Sequence, residues 1–283
     1  MKDSKTGNKD ISNLLNNVYR YADKSSWYSS VAQAYDRTRP RYPAKLIDRV
    51  REIAELKPGK KVLEIGSGPG IASIEFAKLG VETIGIEPSL AACEIARRKC
   101  ADYPNIEFIN STFEDWSTSQ KFDAVVATTS FHWITPEIRC QKSASVLNND
   151  GYLVLLWNTP PEPSEEVCQS AIAVYQTHAP DIAQRTSIQE YRENLGKFGR
   201  KIIDSGYFKD LFCQQIISQV TYSVDEYLTL LTTLSPYIKL EPSRRNTLLT
   251  ELKKVLESNY GDRLELSYLS MLQIARKSFY SRA

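Results

Sequence analysis

The sequence predicts an α/β fold with a doubly wound, mostly parallel seven-stranded sheet and a helical cap. From residue 61 to residue 157, short apolar runs alternate with segments in which apolar residues recur at helical spacing. This alternation is typical of successive βαβ units, whose right-handed crossovers leave few alternative topologies. After residue 158 the alternation stops, and two further strand-like runs are separated by a long helical stretch. These later segments predict the last two strands and the cap.

The predicted elements divide the chain into two parts. Residues 1–43 are interpreted as an N-terminal helical lid segment, and Pro43 stands where the first helix of the main domain would begin. The main domain is 44–283, with helical cap insertions at about 160–200 and 223–260 and a loop-rich stretch up to about Arg200. The predicted strands are 61–65, 82–86, 106–109, 122–127, 152–157, 212–222 and 264–276. The predicted helices before the second insertion are the one that begins at Pro43 and runs through Ala54, followed by 71–79, 89–100, about 136–146 and 164–178.

The composition limits the functional classes to which this protein could belong. The 283 residues are 42% hydrophobic and 25% charged, which is ordinary for a globular chain. A formal net charge of +2 argues against a dedicated surface for nucleic acid or membrane. The five cysteines are scattered without a C-x-x-C pair, so we expect free thiols and no metal. With no secretory leader and no apolar stretch near the roughly 20 residues of a membrane span, we expect a cytoplasmic monomer or homodimer.

The strongest functional pattern is the segment 62–70, which reads Val-Leu-Glu-Ile-Gly-Ser-Gly-Pro-Gly. It predicts a strand that ends in a tight loop, where Gly66, Gly68 and Gly70 let the main chain approach a ligand closely. The next predicted strand ends in Glu87, an acid placed to accept hydrogen bonds from ribose hydroxyls. Together, the loop and the acid predict an adenosine-type cofactor across the ends of the parallel sheet.

The spacing of the glycines separates two classes of cofactor. The dinucleotide pattern G-x-G-x-x-G requires glycine at position 71, where this chain has Ile71. The E-x-G-x-G-x-G pattern, with Glu64 as its acid, resembles motif I of the class I S-adenosylmethionine-dependent methyltransferases. In that family the loop packs against the methionine part of the cofactor and the acid on the next strand binds both ribose hydroxyls.

Three more segments resemble the trans-aconitate methyltransferase-like, or methyltransferase type 11, branch of that family. Residues 35–43 match a stretch that folds over the cofactor, where the arginine can meet the cofactor carboxylate. Residues 108–115 match the segment that flanks the adenine, although Thr112 and Phe113 depart from the usual residues. Residues 127–133 match the segment beside the methyl group. The resemblance, clear over residues 35–158, implies cofactor contacts from Tyr35, Arg39, Glu64, Gly66, Ser67, Gly68, Glu87, Pro88, Thr112, Phe113, Thr128 and Phe131.

The same segments suggest where the acceptor binds. His132 is the candidate catalytic residue, because a neutral imidazole beside the methyl group could take a proton from the nucleophile. Its alternative role is to line the pocket. Trp133 follows it, and Trp157 and Asn158 end the fifth strand at the edge where ligands bind in open α/β folds. These three residues are the predicted substrate pocket.

The predicted function is transfer of a methyl group from S-adenosylmethionine to a small-molecule carboxylate, hydroxyl or amine by in-line displacement. The rival enzyme is a nicotinamide-dependent oxidoreductase, which Ile71 disfavours. A catalytically silent cofactor-binding regulatory protein is the third possibility. A nucleic-acid methyltransferase is disfavoured, because Thr-Thr-Ser-Phe at residues 128–131 stands in place of its N/D-P-P-Y/F signature.

Overall fold

The computed structural model describes residues 24–278. Residues 1–23, which include the start of the predicted lid, and residues 279–283 lie outside the described part of the chain. The strands are β1 (Lys61–Ile65), β2 (Glu82–Glu87), β3 (Ile106–Asn110), β4 (Phe122–Thr128), β5 (Leu147–Asn158), β6 (Glu162–Pro163), β7 (Phe208–Ser223) and β8 (Arg263–Lys277). The helices are α1 (Lys24–Thr38), α2 (Ala44–Ile53), α3 (Ser73–Lys78), α4 (Leu90–Lys99), α5 (Pro136–Val146), α6 (Glu165–His178), α7 (Ile188–Asp204), α8 (Val224–Thr232), α9 (Ser235–Ile238) and α10 (Pro242–Tyr260), with 3₁₀ turns at Phe131–Trp133 and Pro180–Ile182.

The eight described strands form one sheet in the order β3-β2-β1-β4-β5-β8-β6, and β7 pairs with β8 along its other side. The five strands from β1 to β5 are parallel, whereas β8 runs antiparallel to β5, β6 and β7. The predicted doubly wound, mostly parallel fold is therefore confirmed. The seven predicted strands are the seven long ones, and β6 adds a two-residue strand beyond them.

Apolar clusters cover both faces of the sheet. One face packs Leu46 and Val50 of α2 and Phe76 of α3 against β1, β4 and β5. The opposite face packs Val146 of α5 and Ile202 of α7 against the same strands. Interior parallel strands are buried on both sides, which explains why their sequences are nearly continuous apolar runs.

The loop-rich stretch predicted up to about Arg200 is wrong, because α7 fills most of it. Ser187 and Glu190 form a capping box at its start: Ser187 N donates to Glu190 Oε2 at 2.7 Å, and Glu190 N donates to Ser187 Oγ at 3.2 Å. Gly199 lies where a Cβ would be 2.7 Å from Gln273 Nε2 of β8. The absence of a side chain at Gly199 thus allows the helix to approach the sheet closely.

A separate apolar cluster forms the cap. It joins α6, α8, α9 and α10 around buried residues that include Ala171, Leu231, Leu252 and Leu256. The first predicted insertion is divided, since α6 joins the cap while α7 packs on the sheet. No helix in the described part of the chain is long and apolar enough to cross a membrane.

Helix α1 bridges the sheet domain and the cap. On the sheet side, Ser29 Oγ lies 2.8 Å from Ser89 Oγ, and Ala32 packs against Ala92 of α4. On the cap side, Arg37 Nη2 donates to Thr229 Oγ1 of α8 at 3.4 Å. The described part of the predicted lid therefore contacts both the sheet domain and the cap in this structure.

Candidate active site

One large cavity opens at the carboxyl ends of the parallel strands and continues into the cap. Its volume is about 1570 Å³. The strand ends contribute Ile65 of β1, Glu87 of β2, Thr128 of β4 and Asn158 of β5 to its wall. In open α/β sheets, ligands bind at this edge, where the strand order reverses. Here the reversal falls between β1 and β4.

The glycine loop forms the floor of the cavity. Gly66 N and Ser67 N both donate to Ile86 O, at 2.8 and 3.1 Å, which holds the loop against β2. Gly66 and Gly68 have φ of +65° and +54°, in the left-handed region that glycine tolerates best. A Cβ on Gly66 would lie 2.6 Å from Ser130 Cβ, whereas one on Gly68 would meet nothing within 4 Å. Gly68 therefore leaves space for a ligand, and Gly66 allows two backbone segments to approach each other.

Glu87 connects the second strand to this loop. Its Oε2 accepts a hydrogen bond from Gly68 N at 2.9 Å, and its Oε1 accepts one from Ser89 N at 2.8 Å. The side chain is only 7% exposed, yet it lines the cavity next to Pro88. Burial raises the pKa of Glu87, and the two backbone donors oppose that shift. Each carboxylate oxygen keeps a lone pair with which it can accept a ligand hydroxyl.

Glu64 lies beneath the loop and is absent from the wall of the large cavity. It is completely buried, and its carboxylate accepts hydrogen bonds from Ser73 Oγ and, at 2.7 Å, from Thr128 Oγ1. Burial raises the pKa of Glu64 to about 7. The predicted cofactor residues Glu64 and Thr128 are thus tied to each other, and of the two only Thr128 lines the large cavity.

The raised pKa of Glu64 predicts a particular pH dependence of stability. Between its ordinary pKa of 4.5 and about 7, the carboxyl ionises in the unfolded chain but stays protonated in the fold. The folded state therefore loses stability as pH rises through this range, with no further loss from Glu64 above it. Glu64→Gln removes the titration, so its free energy of unfolding should improve relative to the wild type as pH rises. Urea denaturation at several pH values measures this difference, and a difference that does not change with pH would contradict it.

The predicted adenine segment lies on the same side of the cavity as Glu87. Thr112 and Phe113 both line the wall, and Phe113 is 3% exposed because its ring also belongs to the core. Thr112 Oγ1 donates to Asp115 Oδ2 at 2.6 Å and accepts from Asp115 N at 3.1 Å. The threonine hydroxyl is therefore engaged by its own turn.

In the segment predicted to lie beside the methyl group, residues 127–133, some residues line the cavity and others belong to the core. His132 and Trp133 line the cavity, and their ring centroids are 5.0 Å apart. Phe131, predicted to contact the cofactor, is completely buried and does not line it. Its ring packs instead against Phe198 of α7, with centroids 6.5 Å apart.

Of the two predicted pocket residues at the end of β5, one belongs to the core and the other lines the cavity. Trp157 is a core residue: it does not line the cavity, and its Nε1 donates to Gln273 Oε1 at 3.0 Å. Asn158 does line the cavity, while its Nδ2 donates to Pro40 O at 3.1 Å and its Oδ1 accepts from Ser270 Oγ at 2.6 Å. Successive residues of a strand point to opposite faces, so both could not line one pocket in the same way.

Tyr35 and Arg39 of the predicted lid line the cavity from above. The Arg39 guanidinium lies 4.7 Å from the centroid of the Tyr35 ring. It also donates to the cap, from Nε to Thr233 Oγ1 and from Nη2 to Thr233 O, both at 3.0 Å. Ser67 lines only a small adjoining cavity of about 30 Å³, which Tyr35 and Arg39 share.

The sequence interpretation missed several wall residues. Tyr28 of α1 lies edge-on to Trp133, with ring centroids 5.6 Å apart, and its position in the aromatic stretch after residue 27 was the available signal. Thr129 has φ of +55°, and its Oγ1 lies 2.8 Å from Tyr42 OH. A strained threonine of this kind leaves no signal in a single sequence.

Comparison with known proteins agrees with this geometry. Residues 62–151 match the family model described as a methyltransferase domain. An uncharacterized methyltransferase of Mycobacterium tuberculosis is 29% identical over 141 residues, which cover 50% of this chain and 55% of that protein. A protein of Saccharomyces cerevisiae described as a probable S-adenosylmethionine-dependent methyltransferase is 32% identical over 135 residues, 45% of each chain. The chain thus spans about half the length of these curated relatives.

A solved structure extends the agreement to the fold. A protein of Anaeromyxobacter dehalogenans described as a type II methyltransferase superposes with a TM-score of 0.57 at 19% identity, over 84% of this chain and 97% of that one. The strand order, the glycine loop and the sequence matches define a class I S-adenosylmethionine-dependent methyltransferase fold. Residues 62–151 thus contain a methyltransferase domain of that class, and for this part of the chain the predicted family is confirmed.

Proposed function

We propose that this protein transfers a methyl group from S-adenosylmethionine to a small-molecule carboxylate, hydroxyl or amine. The observation that carries the proposal is the size and course of the cavity. Its volume of about 1570 Å³ exceeds the roughly 300–1,000 Å³ of a pocket for one small ligand. It runs from the glycine loop, past His132 and Trp133, into the cap. A cavity of this kind has room for a cofactor and an acceptor together.

The residues around the glycine loop fit the cofactor. Gly68 leaves the adjacent space open, and Glu87 presents a desolvated carboxylate to the same space. We assign Glu87 to the ribose hydroxyls, Gly66 and Gly68 to the methionine part, and Thr112 and Phe113 to the adenine. When bound, the cofactor supplies a methyl group already activated by a sulfonium. The chain then has to orient the acceptor and exclude water, and orientation alone can contribute about 7–11 kcal/mol to lowering the barrier.

His132 is the proposed proton acceptor for a hydroxyl or amine substrate. It lines the cavity between the cofactor end and the cap, with its ring 5.0 Å from that of Trp133 and 5.7 Å from that of Trp157. Two indole rings thus contact the imidazole and hold it in one orientation, which a general base requires. A carboxylate acceptor needs no base, and for such a substrate His132 would act only as part of the wall.

The proposed function is tested by binding first and turnover second. Isothermal titration should show binding of S-adenosylhomocysteine and none of NADH. Labelled S-adenosylmethionine should then transfer its methyl group to members of a panel of small carboxylates, alcohols and amines. Binding without transfer to any member would favour the silent regulatory alternative, and binding of NADH alone would favour the oxidoreductase.

The docked position of α1 leads to a prediction about closure. The contacts of α1 with α4 and with the cap enclose the cavity, and Tyr35 and Arg39 belong to its wall. We expect residues 28–43 to exchange their amide hydrogens more slowly when S-adenosylhomocysteine is bound, because the ligand stabilises the closed arrangement. Hydrogen exchange followed by mass spectrometry measures this, with a peptide from the middle of β7, which does not line the cavity, as the unchanged control. Equal protection with and without ligand would mean that α1 is permanently docked.

A further inference from the structure

The part of the cavity inside the cap reaches the cap's own apolar core. Leu231, Leu252 and Leu256 are each at most 4% exposed, yet all three line the cavity. Ala171 of α6, which belongs to the same apolar cluster, also lines the cavity. Protein cores are normally close-packed, so a cavity bounded by core leucines is an apolar binding space rather than a packing accident. We call this space the cap chamber.

Two tyrosine hydroxyls are the polar feature of the chamber wall. Tyr175 of α6 and Tyr237 of α9 both line the cavity, and their hydroxyl oxygens are 2.6 Å apart. Burial raises the pKa of Tyr175 to about 12 and also raises the pKa of Tyr237 well above its usual value, so both stay protonated at neutral pH. One proton of the pair is used in the mutual hydrogen bond. The second remains to be donated, so the pair can donate to an acceptor atom on a ligand.

One guanidinium and two carboxylates near the tyrosine pair form an ion-paired cluster. Arg185 donates to Glu162 Oε2 at 2.6 Å and to Glu165 Oε2 at 3.0 Å, and both Glu162 and Arg185 line the cavity. The guanidinium therefore already faces two carboxylates, and the three groups together carry a net charge of −1. An anionic ligand would meet this negative charge, and any charged ligand would lose its hydration among the leucines.

We propose that the cap chamber holds the body of the methyl acceptor, and that this body is a neutral aliphatic or aromatic group with one oxygen that accepts a hydrogen bond from the Tyr175–Tyr237 pair. The inference rests on the proposed function and specifies its substrate class. The reacting atom of the acceptor would then lie at the other end of the molecule, near His132.

A neutral apolar fluorophore, N-phenyl-1-naphthylamine, tests the chamber directly. It is titrated into the full chain with saturating S-adenosylhomocysteine, so that the cofactor end is not available to the probe. We expect saturable binding that Ala171→Phe weakens by about tenfold or more, because the new ring fills the chamber. The matched control is Ala173→Phe, two residues away on the exposed side of α6, which should leave binding unchanged. No binding, or equal affinity in the two variants, would overturn the proposal.

Competition with three ligands of equal chain length tests two points. The first is whether the chamber prefers a neutral ligand, and the second is whether the two tyrosine hydroxyls bind the ligand's oxygen. Octanol should displace the fluorophore better than octanoate or octylamine does. In the double variant Tyr175→Phe, Tyr237→Phe, which keeps both rings, the affinity for octanol should fall by about twofold to tenfold. The affinity for the oxygen-free fluorophore should stay unchanged. Equal competition by octanoate or octylamine, or an unaffected affinity for octanol, would overturn the proposal even if Ala171→Phe fails to fold.

The same titrations separate the inference from the function on which it rests. If the wild type does not bind S-adenosylhomocysteine, the proposed function is refuted, whether or not the fluorophore binds. Cofactor binding together with fluorophore binding that the chamber variants do not change would refute only the chamber.

Discussion

Gly66→Ala is expected to lower the free energy of unfolding by roughly 2–5 kcal/mol, through two costs that act together. The first is backbone strain, because alanine does not readily adopt the φ of +65° found there. The second is a collision, because the new Cβ would lie 2.6 Å from Ser130 Cβ. Ser130 cannot move freely, since its hydroxyl donates to Ile65 O of β1. Urea denaturation of the variant and the wild type measures the loss.

Two further variants separate these costs. Gly68→Ala meets no atom within 4 Å, so it should lose only about 1–2 kcal/mol from its φ of +54° while its Cβ intrudes on the cofactor. Its main effect should therefore be on the dissociation constant of S-adenosylhomocysteine. In a double-mutant cycle, Ser130→Gly should restore part of the stability lost in Gly66→Ala. A Gly66→Ala variant as stable as Gly68→Ala would contradict the close approach of the loop to Ser130.

Glu87→Ala should weaken the binding of S-adenosylhomocysteine by about 1.5–3 kcal/mol, or roughly tenfold to 150-fold. The substitution removes the charged acceptor proposed for two ribose hydroxyls. It also leaves Gly68 N and Ser89 N without their carboxylate partner. Isothermal titration measures the affinity, and Glu82→Ala, at the exposed start of the same strand, is the matched control that should change nothing.

Two roles of Glu87, its proposed contact with the ribose and its hydrogen bonds to the glycine loop, can be distinguished by changing the ligand. The wild type should bind S-adenosylhomocysteine more tightly than its 2′-deoxy analogue, because one hydroxyl contact with Glu87 is lost. In Glu87→Ala the two ligands should bind nearly equally. If the variant kept the full preference for the 2′-hydroxyl, Glu87 would act only through the loop.

The central sheet could be predicted because its signals are local. Strands β1, β2 and β4 are short apolar runs, and Gly66, Gly68 and Glu87 stand at the ends of two of them. The spacing of these residues along the chain determines their position in a parallel sheet, with little contribution from distant contacts. The residues proposed to bind the cofactor could therefore be predicted from one continuous segment.

What could not be predicted depends on the direction of single side chains or on distant partners. Phe131 and Trp157 face the core against Phe198 of α7, a helix that lies largely in the stretch predicted to be loop-rich. Glu64 is turned under the loop because Ser73 and Thr128, far apart in sequence, meet its carboxylate there. The cap chamber combines α6, α8, α9 and α10, and no local pattern in any of these helices reveals a cavity among them.

The place of β8 in the sheet has a consequence for biosynthesis. This strand lies between β5 and β7, although residues 159–262 separate it from β5 along the chain. While a ribosome is still producing those residues, the edge of β5 at Tyr152–Asn158 has no partner from β8 for its backbone groups. Exposed strand edges pair readily with other chains. The nascent chain therefore carries its greatest risk of aggregation just before the sheet is completed, and chaperone binding should be concentrated in that interval.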